Sequence, residues 1–408
     1  MRNHQPHYPE MKIVHTSDWH IGQNFYLYER DDEHRHFFAQ LTQILKEEKP
    51  DALLVSGDIY HNAAPSAQSQ KLLVEGVLKI KRALPDMEIV ITSGNHDSGS
   101  RLDADKRLWQ EAGVYMAGSA RRADNGTFDP SQFIIEIPGK GIIAAVPYFH
   151  PSNYPLATPD TKRENRAREF YDTLLKECGK YMLPIALMAH MAVRGCEYQG
   201  HNDISADSGV ITIGGMETED ISVFGTGYDY LALGHIHKPQ RITPRAYYCG
   251  SPLPVSFAED YDHYVNIVEI EAHGDTPKVT RHKLTLLREV KTIPPEGAPL
   301  EEALEALRAL PDDDTSYIRL LVDQEGTLPA NADDKAAAIA LDKKCRLCEV
   351  YRKPRLRTFD TKSAIVIDEV ADLERYTPEE IAKESYRRTT GNEMPAELFA
   401  LLREAINL

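Results

Sequence analysis

The chain has no apolar run of about 18 residues, the length a membrane-crossing helix requires. No membrane partner is expected from it. Residues 1–10, MRNHQPHYPE, carry no apolar signal core; they read as a remnant or natural extension ahead of Met11. The Gly-rich loops that cradle nucleotide phosphates are missing as well. Gly225-Thr-Gly227 is too short to count, so ATP chemistry is not expected here. Cysteine is scarce: five residues, scattered through a long chain. An odd, dispersed set excludes a disulfide scaffold and fits reduced thiols in a cytoplasm. Cys345-Arg-Leu-Cys348 has no second pair to complete a four-ligand zinc site, and reads as two ordinary thiols on a strand. Positive charge is also short. Lys+Arg number 47 against 63 Asp+Glu, a net of −16. That excludes a protein coating DNA through bulk basic charge; any anionic substrate must be met by local charge or by bound metal.

What is present is an ordinary globular composition, 42% hydrophobic and 27% charged over 408 residues. That length gives roughly two or three domains. Through residue 270 a theme repeats: a short apolar run ends in a Gly/His/Asp-rich corner. The runs are Lys12–Asp18, Asp51–Asp58, Glu88–Asn95, Ile185–His190 and Tyr230–His235. Continuous apolar runs of this length predict strands buried on both faces. Helical periodicity fills His34–Lys49 (Phe37, Phe38, Leu41, Ile44, Leu45) and Ser66–Ala83 (Leu72, Leu73, Val77, Ile80). The fold class is therefore a layered α/β domain, with corners at the carboxyl ends of strands, where such sheets bind ligands.

Beyond residue 275 the pattern changes. Val279–Val290, Leu300–Ala309, Tyr317–Val322, Asp333–Leu341 and Cys345–Thr358 predict strand, helix, strand, helix, strand. The division is 11–274 for the main domain, 275–360 for a small α/β unit, 361–376 for a linker and 377–408 for a helical hairpin broken at Gly391-Asn392. In that hairpin Leu398, Leu401, Leu402 and Ile406 fall at helical spacing, giving it an apolar face to bury.

The corners carry the chemistry: Asp18-Trp19-His20, Gly57-Asp58, Gly94-Asn95-His96-Asp97, Ala189-His190 and Gly234-His235-Ile236-His237. In an extended segment residues i and i+2 face the same side, so Asp18/His20 and His235/His237 can each present two donors to one pocket. Carboxylate and amide oxygens mixed with imidazoles suit Mn, Fe or Zn better than Ca or Mg alone. The full set is too large for one ion with open positions. It suits two ions sharing a carboxylate, the arrangement that clamps both oxygens of a phosphoryl displacement.

This set resembles the calcineurin-like metallophosphoesterases. The variants DWHIG (18–22), GDIYHNAAPS (57–66), SGNHDSGSRL (93–102), GHIHKPQ (234–240) and GSPLPVSFAE (250–259) are most similar to nuclease subunits that work with an ATPase in double-strand-break repair. The resemblance implies one ion on Asp18, His20, Asp58 and His237, and a second on Asp58, Asn95, His190 and His235. It implies Mn²⁺ as the metal and His96 as the catalytic residue beside the scissile phosphate. Asp97 is expected to orient an imidazole. His61 stands where many bacterial relatives have Asp; the resemblance implies a contact to the phosphate, and a solvated loop histidine is the other reading. The implied activities are 3′–5′ exonuclease on duplex ends and endonuclease on single strands and hairpins, in DNA repair, recombination and replication. The implied partners are DNA, a separate ATPase subunit docked by the 377–408 hairpin, and a second copy of the chain in a heterotetramer.

From Asp342 to Arg357 the chain has seven basic residues against two acidic ones. Two readings stand: contacts to DNA phosphates through residues such as Arg355 and Arg357, or a strand edge protected by charge. Arg101, after the Gly-Asn-His-Asp corner, is a further candidate for the DNA backbone. Two rival functions remain in view: hydrolysis of a smaller phosphoester, and a non-catalytic DNA-end tether. A small substrate needs neither cap nor dock, and a tether has no need of His96 beside seven ligands.

Overall fold

A computed structural model describes residues 10–120, 129–150, 153–155, 165–197 and 218–353, with nine further residues between 382 and 403. The chain forms two compact units, Met1–Arg352 and Lys353–Leu408.

The core of the first unit is two six-stranded sheets. The first takes β1 (Met11–Thr16), β4 (Ala52–Ser56), β5 (Glu88–Thr92), β6 (Val114–Ala117), β13 (Tyr264–Ile270) and β14 (Lys278–Lys283), in the order β14-β13-β1-β4-β5-β6. β1, β4, β5 and β6 run parallel, joined by α1 (Asp31–Glu48), α2 (Ala67–Ala83) and the short α3 (Gly99–Ala104) and α4 (Lys106–Glu111). The second sheet takes β7 (Ile134–Ile137), β8 (Gly141–Ala145), β9 (Ile185–His190), β10 (Tyr230–Gly234), β11 (Gln240–Thr243) and β12 (Ala246–Tyr248), in the order β11-β12-β10-β9-β8-β7. α5 (Arg166–Cys178) covers its outer face.

Side-chain alternation explains the layering. Along β4, Leu53 and Val55 pack with Phe37, Leu41, Leu72 and Val77 of the helices. Ala52 and Leu54 face the other way, onto Ala145, Ala186, Met188 and Ala232 of the second sheet. Small residues at this inner seam let the sheets approach closely. The resulting order is helices, sheet, sheet, helix, with both faces of the parallel strands buried. α2 begins on a Ser66 cap, whose hydroxyl accepts from Ser69 N at 3.1 Å. α1 has no such cap, but Asp31, Asp32 and Glu33 in its first turn suit the helix dipole.

The strand expected at Val279–Val290 is two strands. β14 pairs antiparallel with β13 and completes the first sheet, so that sheet reaches past residue 274. The small unit begins at β15 (Val290–Ala298), which pairs in parallel with β16 (Tyr317–Val322), itself parallel to β17 (Arg346–Arg352). α6 (Leu300–Ala309) and α7 (Ala332–Ala340) are the crossovers, packed in a core of Leu304, Leu307, Ile318, Leu320 and Ala336. No Gly or Pro separates Val279 from Val290, so the sequence marks no break there. Cys348 lies on β17 and Cys345 just before it, both as free thiols.

A small hairpin, β2 (Asn24–Phe25) and β3 (Tyr28–Glu29), joins this cap to the main domain. Tyr26 Oη donates to Glu349 at 2.7 Å, and Tyr28 Oη donates to Leu347 O at 3.0 Å. Beneath them, buried Glu33 accepts from Arg30 Nη2 (2.7 Å) and from the Tyr317 hydroxyl. In the second unit, the Lys383 ammonium stands 3.8 Å from the Phe399 ring centroid and Leu398 is exposed. Leu401, Leu402 and Ile406 of the expected hairpin face lie outside the described residues, as does the whole of the expected 361–376 linker.

Candidate metal centre

The corners converge at the carboxyl ends of β1, β4, β5, β9 and β10. Backbone bonds lace two of them together: Asp18 N donates to Gly57 O (3.0 Å), His20 N to Asp58 O (3.0 Å) and Ile21 N to Ile59 O (2.9 Å). Asp18, His20, Asp58 and His235 all have positive φ, a conformation that side chains pay to adopt. Their strain is held by the packing around them. Glycine makes the close approach possible at Gly94, where a Cβ would lie 2.1 Å from Asp58 Oδ1.

Among the described residues, three groups of donor atoms lie close enough to hold an ion: Asp18/His20/His237, Asp58/His190/His235 and His20/His61/His96. In the first, His20 Nε2 and His237 Nε2 are 3.1 Å apart. In the second, Asn95 Oδ1 lies 3.0 Å from His190 Nε2 and 2.9 Å from His235 Nδ1, and Asp58 Oδ2 lies 3.3 Å from His190 Nε2. His190 Nδ1 donates to Ser56 O at 2.8 Å, which turns its Nε2 toward the cluster. Asp58 Oδ2 is also 3.8 Å from His20 Nε2, so this carboxylate stands between the two groups. Asp58 Oδ1 accepts from His96 N at 2.9 Å.

The electrostatics fit a cation. Burial pushes the Asp58 carboxyl up, but His190 and then His20 hold it well below the ordinary range. Burial lowers His190, and the Asp58 charge outweighs that, raising it to about 9. A proton is thus held against Asp58 at a place where a divalent ion would serve the same charge. Asp18, desolvated by burial, is raised; its carboxylate accepts from Ser17 Oγ and from His235 N (3.0 Å). Burial drives His20 well below its ordinary value, so its imidazole is neutral, the form a metal ligand requires.

His96 Nδ1 donates to His61 O at 2.8 Å, leaving its other nitrogen toward the cleft. The His61 ring stacks on His96, 5.8 Å between centroids, and burial lowers its pKa to about 4. Asp97 differs from expectation. Its carboxylate accepts from Ile59 N (3.0 Å), Tyr60 N (2.9 Å) and Gly94 N (2.8 Å), pinning the loop that carries Asp58, with no imidazole among these partners. Arg101 is exposed on α3. Arg355 and Arg357 lie outside the described residues. Earlier in that basic stretch, Lys343 donates to Leu310 O and Asp312 within the cap, and Arg346 donates to Glu29 O on the hairpin and to Tyr317, so both charges are engaged in holding the cap. Lys344 and Arg352 remain exposed.

Two elements escaped the sequence reading. Ser17, adjacent to a ligand, hydrogen-bonds the Asp18 carboxylate. Glu259, the last residue of the 250–259 motif, lies behind His237, with Oε1 3.8 Å from Nδ1. The motif itself was the available signal; a buried carboxylate ending an apolar loop has to be balanced by something.

Comparison with known proteins identifies the family. The family model described as calcineurin-like phosphoesterase matches residues 11–239. The SbcD component of the nuclease SbcCD from Rhodobacter capsulatus is 35% identical over 322 residues, covering 74% of this chain and 77% of that protein. The Bacillus subtilis protein of the same name is 31% identical, covering 64% of this chain and 66% of its own length. The Escherichia coli K12 protein is 28% identical, covering 63% and 64%. With the matched region holding every corner but the 250–259 loop, the chain belongs to the calcineurin-like phosphoesterases, in the family of SbcD nucleases.

Proposed function

We propose that the chain hydrolyses DNA phosphodiester bonds at a two-ion centre. One ion is held by Asp18, His20, Asp58 and His237, the other by Asp58, Asn95, His190 and His235. The observation that carries this reading is the placement of Asp58 Oδ2, 3.8 Å from His20 Nε2 and 3.3 Å from His190 Nε2. The mixed imidazole, carboxylate and amide donors suit Mn²⁺, Fe²⁺ or Zn²⁺, and the resemblance to this nuclease family selects Mn²⁺ among them. When bound, such ions lower the pKa of a water and neutralise phosphoryl oxygens.

The chain's own residues do the rest. The carbonyl of His61 fixes Nδ1 of His96 as a donor, so Nε2 is the atom left to exchange a proton: the doubly protonated ring gives its Nε2 proton to the leaving 3′-oxygen and returns to the neutral Nδ1–H form. His61, neutral and stacked on His96, contacts the phosphate and keeps that ring from rotating. Asp97 holds the Asp58 and Gly94 corners in register by its three backbone bonds. Exposed Arg101, Lys344 and Arg352, with Arg355 and Arg357, meet the DNA backbone.

In this reading the protein acts in the cytoplasm, as one of two copies in a heterotetramer with the ATPase SbcC. It degrades duplex ends 3′–5′ and cuts single strands and hairpins during repair, recombination and replication. The main domain runs from residue 11 through β14, the cap that begins at β15 touches DNA, and the 377–408 hairpin docks SbcC. The net charge of −16 makes weak intrinsic DNA affinity, and a DNA-binding partner, the expected arrangement. The test is cleavage of linear duplex and hairpin DNA with Mn²⁺ or Mg²⁺, with and without SbcC and ATP. Mn²⁺-dependent cleavage of both substrates supports the reading; hydrolysis confined to small phosphoesters overturns it.

A further inference from the structure

The loop after β12 closes behind His237. Ser251 N donates to His237 O at 3.1 Å, and Arg30 Nη1 donates to Pro254 O at 2.6 Å. Val255 N donates to Glu259 Oε1 at 3.0 Å. These bonds bring the Glu259 side chain, fully buried, to within 3.8 Å of His237 Nδ1. Its other oxygen, Oε2, is buried with no hydrogen-bond partner and lies 3.9 Å from His263 Nε2. His263 cannot satisfy it easily: burial lowers the His263 pKa, and its Nδ1 already donates to Ser251 O at 2.8 Å.

A buried carboxylate is costly unless a positive group faces it. The imidazole of His237 is the nearest candidate. Its Nε2 faces His20 Nε2 at 3.1 Å; as a ligand of the proposed ion that nitrogen presents a lone pair, which leaves the proton on Nδ1, toward Glu259. A carboxylate in that place fixes the tautomer and ring orientation and makes the ligating nitrogen more basic. His20 has no such support; its Nδ1 is buried and has no hydrogen-bond partner. On the other side of the centre, His190 is backed by a neutral carbonyl, Ser56 O. Among His20, His190 and His237, only the ring of His237 is backed by a carboxylate.

We infer that Glu259 is the positioning residue for His237, and that it sets the affinity of the ion held by Asp18, His20 and His237 without governing the other. This rests on the two-ion reading above. The role reaches the ion only through the imidazole, because Glu259 is behind the ring and not in the cleft.

The test uses the full chain and Mn²⁺ alone, with free Mn²⁺ followed by electron paramagnetic resonance. Glu259→Gln keeps the size of the side chain and an oxygen for Val255 N, and removes the charge. The expected result is two Mn²⁺ per wild-type chain, with one of the two affinities in E259Q reduced about 10- to 100-fold. The other affinity stays at the wild-type value, and the melting temperature of the metal-free protein is unchanged. E259Q binding both ions as wild type overturns the inference. Equal weakening of both ions with a lowered metal-free melting temperature also overturns it, since that is a structural role. A wild-type chain that takes up fewer than two ions defeats the two-ion reading itself, which separates the two failures.

Discussion

The Nε2 atoms of His20 and His237 lie 3.1 Å apart across 217 positions of sequence. Two nitrogens that would each lie about 2.1 Å from a shared ion stand roughly 3.0 Å apart at a right angle and roughly 3.4 Å apart at the tetrahedral angle. His20 follows β1 in the first sheet, and His237 follows β10 in the second. The spacing between them is therefore set by how the two sheets are apposed.

Gly234 measures that apposition. A Cβ there would lie 1.8 Å from Ser56 O on the facing sheet. Gly234→Ala is expected to force the sheets apart, at a cost of about 1–3 kcal/mol. Thermal unfolding of the metal-free protein reads the stability, and Mn²⁺ titration reads an accompanying loss of affinity. An unchanged melting temperature would show that the seam has slack.

His96 is placed by its backbone bond to Asp58 and its ring bond to His61 O, outside the two proposed ligand sets. His96→Ser is expected to lower DNA cleavage by about 10²–10⁴-fold while both Mn²⁺ ions still bind. Cleavage at the wild-type rate in a Mn²⁺ assay would remove His96 from the chemistry.

The cap is held to the main domain by buried charge. Glu33 accepts from Arg30 and Tyr317, and Arg30 is 2% exposed. Removing one partner of a buried pair strands the other, so Glu33→Ala is expected to destabilise the chain by about 3–5 kcal/mol. Calorimetry reads this directly. A loss below about 1 kcal/mol, the worth of a surface pair, would mean the junction is solvated.

His15 supplies a pH dependence. It lies buried on β1 with Nδ1 2.9 Å from Tyr230 Oη, and burial lowers its pKa to about 3. The folded chain keeps His15 neutral, while the unfolded chain takes up a proton below about 6.5. Stability is thus lost as pH falls from 6.5 toward 3. His15→Gln removes that contribution. The stability difference between wild type and variant is expected to change by up to about 1.4 kcal/mol per pH unit in this window and to be flat above pH 7. Denaturant unfolding across pH 4–8 measures it; a constant difference would contradict the assignment.

The ligands were legible because each ends or closely follows an apolar run, as Asp58 follows Ala52–Ser56 and His190 ends Ile185–His190. Local patterning finds such corners one at a time. It does not say that β1 and β10 lie in different sheets, because inner-seam residues such as Ala52 and Ala232 look like any buried strand residue. The break between β14 and β15 was hidden for want of a Gly or Pro. Asp97 follows a candidate ligand-bearing corner, where an imidazole partner is the natural guess; only the folded loop reveals three backbone N–H groups aimed at it. Lys343 and Arg346 read as free charge until Asp312 and Tyr317 are seen beside them.

Asp58 is proposed to belong to both halves of the centre, and everything said of the two ions depends on that sharing. Equilibrium dialysis against Mn²⁺, with bound metal counted by mass spectrometry, tests it on wild type, His190→Ala and Asp58→Ala at one free-metal concentration. Two ions are predicted on wild type, one on His190→Ala and fewer than one on Asp58→Ala. An Asp58→Ala chain that keeps one ion at wild-type affinity would contradict the sharing.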